Sequence, residues 1–140
     1  MNVYGIPRMT ADIDLLLDFE IDNLKAFEKV LNSLGYTSLL PIDIKSLNNI
    51  SERKNLREEK NLVAFSYYNH QSNQMAIDVL IDIPFSFEAM YERRVIRKSS
   101  DYEINLTSVN DMIKLKELAG RSQDISDIKM LNQYLKNESN

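Results

Sequence analysis

The chain has 140 residues, of which 44% are hydrophobic and 27% charged, and its formal net charge is −4. These values predict one globular domain over residues 1–140 and give no support for a nucleic-acid coat protein, which would carry a basic excess. The sequence has no cysteine and one histidine, His70, which excludes disulfides, a thiol nucleophile and a multi-histidine zinc site within it. It shows neither a signal peptide nor a membrane-spanning segment, so we expect a cytoplasmic protein without membrane contact.

A turn that leads into a β-strand is predicted near the start of the chain. Gly5 and Pro7 break any preceding helix, and residues Ala11–Leu17 are β-compatible and increasingly apolar. Alternation along this strand places Asp12 and Asp14 on one face, with the apolar residues between and after them facing a core. Two carboxylates so close repel each other unless a cation lies between them, and oxygen ligands favour Mg²⁺. A solvated strand face is the alternative interpretation.

The next segment predicts a helix, a strand and a polar stretch. Apolar spacing indicates an amphipathic helix over Glu20–Leu34, which Gly35 ends. A short strand is predicted over Tyr36–Leu40. Residues 43–61 are polar and charged, which favours one or two short surface helices or a mobile excursion. Their charges fit a solvated face or, alternatively, a contact with substrate.

A β-hairpin is predicted in the middle of the chain. Leu62–Tyr68 and Met75–Ile83 are both rich in β-forming residues, and a polar turn separates them. An aspartate inside so apolar a second strand is costly unless solvent, hydrogen bonds or a metal satisfies it. Asp78 is therefore the candidate third carboxylate, whereas Asp82 is explained as a solvated strand end.

Short elements are predicted between the hairpin and the C-terminal region. A helix is expected over Ser86–Tyr91, and two short strands over Arg93–Arg97 and Tyr102–Leu106. Two alternatives explain the basic residues of this segment: a phosphate contact, or an exposed edge strand guarded by charge. These residues are Arg93, Arg94, Arg97 and Lys98.

Two helices are predicted to close the chain. The first begins at Ser108, and Lys116 lies on the margin of its buried stripe, where its ammonium either follows apolar surface or reaches into a cleft. That stripe consists of Met112, Leu115 and Ala119. The second helix begins near Asp124 and Asp127, which suit its positive end. It is expected to bury Ile125, Ile128, Leu131 and Leu135.

Two runs of sequence carry a resemblance to a known family. Residues 4–16, YGIPRMTADIDLL, resemble the Gly-x-Pro-Arg-x-Thr-x-Asp-Ile-Asp-Leu-Leu segment of bacterial nucleotidyltransferase-fold proteins of the DNA polymerase β-like superfamily. Residues 111–131, DMIKLKELAGRSQDISDIKML, are similar to the closing motif of that group, which is similar in layout to lincosamide nucleotidyltransferases and to the toxin halves of abortive-infection systems. The resemblance implies an α+β fold with a mixed or antiparallel sheet, helices packed on it and two C-terminal helices.

The resemblance also implies an activity. The group transfers a nucleoside monophosphate from an NTP, with Mg²⁺ or Mn²⁺, to a hydroxyl of a small molecule, a protein or RNA. It implies that Asp12 and Asp14 are metal ligands that also hold the nucleotide phosphates. Asp78 would be the third metal ligand and would accept the proton of the attacking hydroxyl, which agrees with the general chemistry of metal-assisted phosphoryl transfer.

Further roles follow from the resemblance for residues outside the carboxylate set. Lys116 would contact a phosphate or the transition state, and Asp124 would orient it from the neighbouring helix. Arg8 and Thr10 would brace the start of the first strand and lie at the nucleotide. Arg121 and Asp127 fit a structural pair as well as a role in the site.

The sequence departs from the family pattern at its start. Family members carry a strand that ends in Gly-Gly or Gly-Ser, then a helix, before the Pro-Arg-x-Thr segment, and that turn lets backbone N–H groups approach phosphates. The three glycines here, Gly5, Gly35 and Gly120, form no such turn. We therefore expect a chain truncated at its N-terminus relative to the family, with an open sheet edge that favours a homodimer.

Two alternative functions follow from this departure and from the carboxylates. The first is a catalytically inactive nucleotidyltransferase-fold module that binds or regulates a partner, as in a toxin–antitoxin or defence pair. The second is a two-metal nuclease that uses the same carboxylates, which the lack of a histidine or helix-borne base disfavours.

Overall fold

A computed structural model describes residues 1–7, 9–71 and 73–139. The chain divides into two compact units, which we name the sheet unit, Thr10–Pro84, and the terminal unit, Met1–Met9 with Phe85–Asn140. Helices and a mixed sheet confirm the predicted α+β class. That residues 1–140 form one domain stays a prediction. None of the helices in the described ranges has the length and apolar character needed to cross a membrane.

The sheet unit is built on a mixed sheet of four strands. These are β1 (Asp12–Leu15), β2 (Tyr36–Ser38), β3 (Ala64–Asn69) and β4 (Ala76–Leu80), in the spatial order β1-β4-β3-β2. Strand β1 runs parallel to β4, whereas β3 is antiparallel to both β4 and β2. The predicted hairpin of β3 and β4 is thereby confirmed, and the predicted first strand is the edge of the described sheet.

Three helical segments accompany this sheet. The first, α1 (Ile21–Ser33), lies within the predicted range Glu20–Leu34, and the side chain of Glu20 caps its start. A short 3₁₀ helix (Ile44–Asn48) and α2 (Ile50–Lys60) occupy the polar stretch 43–61. The stretch was predicted to form surface helices or a mobile excursion. It does form helices, but they also place three residues in the core. These are Ile44, Leu47 and Leu56.

The core of the sheet unit lies against one face of the sheet. Alternation along β4 buries Ile77 and Val79, and the hairpin register places Tyr67 and Phe65 beside them. Burial of each such side chain contributes about 1.5–3 kcal/mol to folding. Ile13 lies on the core side of the sheet as expected, as the register partner of buried Ile77, but it is 43% exposed because β1 is the edge strand.

The terminal unit combines three helices with a two-stranded antiparallel sheet. Its elements are α3 (Phe87–Glu92), β5 (Val95–Lys98), β6 (Glu103–Leu106), α4 (Val109–Ala119) and α5 (Ser122–Glu138). The predicted cap at Ser108 is confirmed, since its hydroxyl accepts the backbone N–H of Asp111 at 3.1 Å. A separate core cluster forms around four buried residues: Tyr4, Ile6, Val109 and Leu131.

The buried sides of α4 and α5 differ in part from the prediction. Leu131 is buried as expected, but Ile125 is 57% exposed and Ala119 is also exposed. Asp124 and Asp127 are buried instead. The apolar spacing of α5 was a poor guide at its start, because the carboxylates there have charged partners within the unit.

Candidate functional site

The pairing of β1 with β4 brings two of the predicted metal ligands side by side. Asp14 and Asp78 are register partners on these parallel strands, and neighbouring strands lie about 4.8 Å apart. Asp12, two residues earlier on β1, shares the face of Asp14 and stands opposite Ala76. All three predicted aspartates therefore lie on the sheet face opposite the buried core. We name this side of the sheet the carboxylate face.

A hydroxyl extends this row to a third strand. Ser66 on β3 is the register partner of Asp78, so Asp14, Asp78 and Ser66 form one line across β1, β4 and β3. Sequence reasoning missed Ser66. Counting outward from the hairpin turn along both strands would have paired it with Asp78. The Ser66 hydroxyl is thus a neutral hydrogen-bonding group beside the Asp78 carboxylate on β4.

The three carboxylates differ in exposure because of their strand positions. Asp12 and Asp14 are exposed on the edge strand, whereas Asp78 is half-buried on β4, which has a strand on either side. Among residues 1–7, 9–71 and 73–139, no group of three or more His, Asp or Glu side chains is arranged to hold a metal ion. The three carboxylates fit Mg²⁺ or Mn²⁺ chemically, since carboxylate oxygens are the preferred ligands of these ions. To coordinate one ion together, the side chains would have to rotate to other rotamers.

The segment before β1 carries the two predicted nucleotide contacts. The Thr10 hydroxyl donates a hydrogen bond to the backbone carbonyl of Asp12 at 2.9 Å, which braces the start of the strand as expected. Arg8 lies outside the described residues. That either residue contacts a nucleotide stays a prediction.

In the terminal unit, α4 and α5 bring Lys116 together with two buried carboxylates. The Lys116 Nζ atom lies 2.6 Å from Asp127 Oδ2 and 3.3 Å from Asp124 Oδ1. Arg121 binds Asp124 from the other side, with its Nε 2.8 Å from Oδ2. We name Lys116, Arg121, Asp124 and Asp127 the ion cluster. The predicted proximity of Asp124 to Lys116 is thus present, and Asp127 is the nearer partner.

The ion cluster is buried except at Arg121, whose side chain is 73% exposed. The Lys116 side chain is 15% exposed, and the two carboxylates are almost fully buried. Hydrogen bonds from Arg121, and then from Lys116, hold the pKa of Asp124 below its usual range despite burial. The backbone N–H of Arg121 also donates to Asp124 Oδ2, which fixes the start of α5 ahead of Asp124. The arrangement joins α4 to α5.

A third buried carboxylate of the terminal unit, Asp111, pairs with one residue of the basic segment, Arg93. Arg93 donates two hydrogen bonds to Asp111, from Nε at 3.1 Å and from a terminal nitrogen at 2.9 Å. These bonds lower the pKa of Asp111, and the hydroxyl of Ser108 donates to the same carboxylate at 2.9 Å. The other basic residues have partners in this unit too: Arg94 with Asn105 and Tyr91, Arg97 with Tyr134 and Tyr4, Lys98 with Glu103. Sequence reasoning did not anticipate the pair of Arg93 with Asp111.

No protein-family model matches the sequence. A comparison with curated proteins also gives no match. The resemblance to nucleotidyltransferases therefore stays a prediction.

Proposed function

We propose that the protein is a Mg²⁺-dependent nucleotidyltransferase that transfers a nucleoside monophosphate from an NTP to a hydroxyl acceptor. The observation that supports this proposal is the register of Asp14 with Asp78, with Asp12 on the same sheet face. The carboxylates of Asp12, Asp14 and Asp78 supply the oxygen ligands that a hard cation prefers. The small side chains of Ser66 and Ala76 lie beside them, where phosphates of a bound nucleotide would lie. The predicted homodimer through the outer edge of β1 belongs to the same proposal.

Each carboxylate has a distinct part in the proposed reaction. Asp12 and Asp14, exposed on the edge strand, bind the cation-bearing triphosphate. Asp78 takes the proton of the acceptor hydroxyl as its oxygen bonds to the α-phosphorus and the bond to the β-phosphate oxygen breaks, releasing pyrophosphate. Bound Mg²⁺ supplies charge neutralisation and alignment for this in-line displacement.

One observation favours the alternative of an inactive binding or regulatory module. The ammonium of Lys116, the proposed phosphate contact, is already paired with Asp124 and Asp127. An ammonium has three N–H donors, so the two carboxylates leave one donor of Lys116 for a phosphate oxygen. In the proposed enzyme Lys116 uses that donor, with Asp124 as the orienting partner, whereas in the inactive module the cluster only joins α4 to α5.

The test measures nucleotide binding and transfer together. Calorimetry with ATP, GTP, CTP and UTP, with Mg²⁺ or with EDTA, is repeated for Asp14→Asn and Asp78→Asn. Asp82→Asn is the matched control, because Asp82 is an exposed aspartate just beyond β4. We expect Mg²⁺-dependent binding that both site variants lose and the control keeps, with pyrophosphate released when hydroxyl acceptors are added.

Three other outcomes separate the alternatives. Mg²⁺-dependent binding at the carboxylates without transfer to any acceptor supports the inactive module. Cleavage of a nucleic acid that needs the same aspartates supports the nuclease. Binding that survives Asp14→Asn places the nucleotide elsewhere and contradicts the proposal.

A further inference from the structure

The carboxylate face continues beyond the aspartates as a floor of small side chains. Ala64 and Ser66 on β3 and Ala76 on β4 occupy positions on this face by alternation, and all three are half-buried. Leu80 shares this face as the register partner of Ala64, so the small side chains beside the aspartates are those of Ser66 and Ala76, which project less far from the sheet than the large side chains of the opposite face. A planar or ring-shaped group can therefore approach the sheet between its two edges.

An exposed aromatic ring stands at the far side of this floor. Tyr68 follows Ser66 by two residues on β3, so it shares the face, and it is the register partner of Thr37 on β2. Its neighbour Tyr67 is buried in the core, whereas Tyr68 is 41% exposed. Strand β3 is separated from β1 by β4 alone, which places Tyr68 about 10 Å across the sheet from the strand of Asp14.

From the edge strand inward, the side chains of this face follow the order of the groups in a nucleotide, which are the phosphates, the sugar and the base. Asp12 and Asp14 stand on the edge strand β1, Asp78 and the small Ala76 on β4, and the small Ser66 with the aromatic Tyr68 on β3. A solvent-exposed tyrosine on a strand also occurs without any ligand, since aromatic residues favour strands. What distinguishes Tyr68 is its place on the same face as three aspartates, at a separation that a nucleoside between them would span.

We propose that Tyr68 is the base-stacking residue of the nucleotide site, with the sugar above Ala76 and Ser66 and the phosphates at the aspartates. This inference rests on the function proposed above and adds a base preference to it. Stacking on a single ring senses the area of the base rather than the pattern of its edges. A purine offers the larger face, so the proposed substrate class is purine nucleoside triphosphates.

The test compares ring-removing and ring-keeping variants of Tyr68 by calorimetry with Mg²⁺ and ATP or UTP. We expect Tyr68→Ala to weaken ATP binding about 5- to 100-fold, and UTP binding less, because one stacking contact is lost. Tyr68→Phe keeps the ring and the affinity, and Tyr68→Trp binds ATP more tightly, a gain that misfolding does not produce. Tyr102→Ala is the matched control, since Tyr102 is a 63% exposed tyrosine of the terminal unit.

A second readout separates this inference from the proposed function. Binding of Mn²⁺ alone, followed by electron paramagnetic resonance, depends on the aspartates and stays unchanged in Tyr68→Ala. If Tyr68→Ala binds ATP as the wild type does while Asp14→Asn does not, the stacking role is overturned and the metal site stands. Equal wild-type affinity for ATP and UTP overturns the purine preference. If the wild type binds neither Mn²⁺ nor ATP, both proposals are overturned.

Discussion

The ammonium of Lys116 lies 2.6 Å from the carboxylate of Asp127, and both side chains are largely excluded from solvent. Removal of one partner from such a pair leaves a charge without water or a counter-charge. The ion cluster is therefore a place in the terminal unit where a single substitution has a large effect on stability.

We expect Lys116→Met to lower the free energy of unfolding by about 3–5 kcal/mol, because it leaves Asp127 buried without the ammonium that lies nearest to it. Urea denaturation measures the change. Lys114→Met, an exposed lysine of the same helix, should change stability by less than about 0.5 kcal/mol. A double variant with Asp127→Leu should recover much of the loss, and a loss equal to that of Lys116→Met alone would contradict the pairing.

Acid should weaken the terminal unit through Asp111 and Asp124, whose native pKa values lie below the ordinary range. A carboxyl with a lowered native pKa stabilises the fold above its unfolded pKa of about 4, and that contribution is lost as pH falls toward the native value. Urea denaturation from pH 7 down to pH 2.5 should therefore show falling stability from about pH 4 downward. Asp124→Asn should flatten this slope, and an unchanged slope would exclude Asp124 as a cause.

The cap of α4 is expected to contribute measurably to stability. The Ser108 hydroxyl accepts the backbone N–H of Asp111 and donates to its carboxylate, so Ser108→Ala removes both bonds. We expect a loss of about 0.5–2 kcal/mol in thermal or urea denaturation. Ser108→Thr, which keeps a hydroxyl, should retain most of the stability. Equal losses in the two variants would assign the effect to something other than the hydroxyl.

Repulsion between Asp14 and Asp78 should appear as a stability change that Mg²⁺ reverses. Like charges on paired strand positions destabilise a sheet, so Asp78→Asn should raise stability in EDTA by about 0.2–1 kcal/mol. Added Mg²⁺ should stabilise the wild type more than this variant, because a bound ion favours the folded state. Thermal scans with and without Mg²⁺ measure both effects. A Mg²⁺ response that is the same in Asp78→Asn would exclude Asp78 as a ligand.

The sheet unit was largely predictable because its signals are local. Two-residue alternation identified the strands and the shared face of Asp12 and Asp14, and a polar turn identified the hairpin with Asp78. Strand order was not predictable in the same way, since it depends on pairing between distant segments. The exposure of Ile13 was not predicted for that reason, since it reflects an edge position that no local pattern encodes.

The terminal unit shows where periodicity is insufficient. Helical spacing predicted both closing helices and the burial of Leu131, but it also predicted that Ile125 is buried. Apolar spacing alone gives no indication that an aspartate has a buried partner on another helix. Asp124 and Asp127 take the inner positions because Lys116 and Arg121 satisfy their charge.

The parallel pairing of β1 with β4 also affects how the protein folds. The two strands lie near opposite ends of the sheet unit's sequence, so their pairing encloses α1, β2, α2 and β3 in one long loop. Closing a long loop has a high entropic cost and slows the step that forms it. A nascent chain that has not yet emerged as far as Asp78 has no partner for Asp14. The acidic row therefore exists only in a chain whose sheet unit is complete.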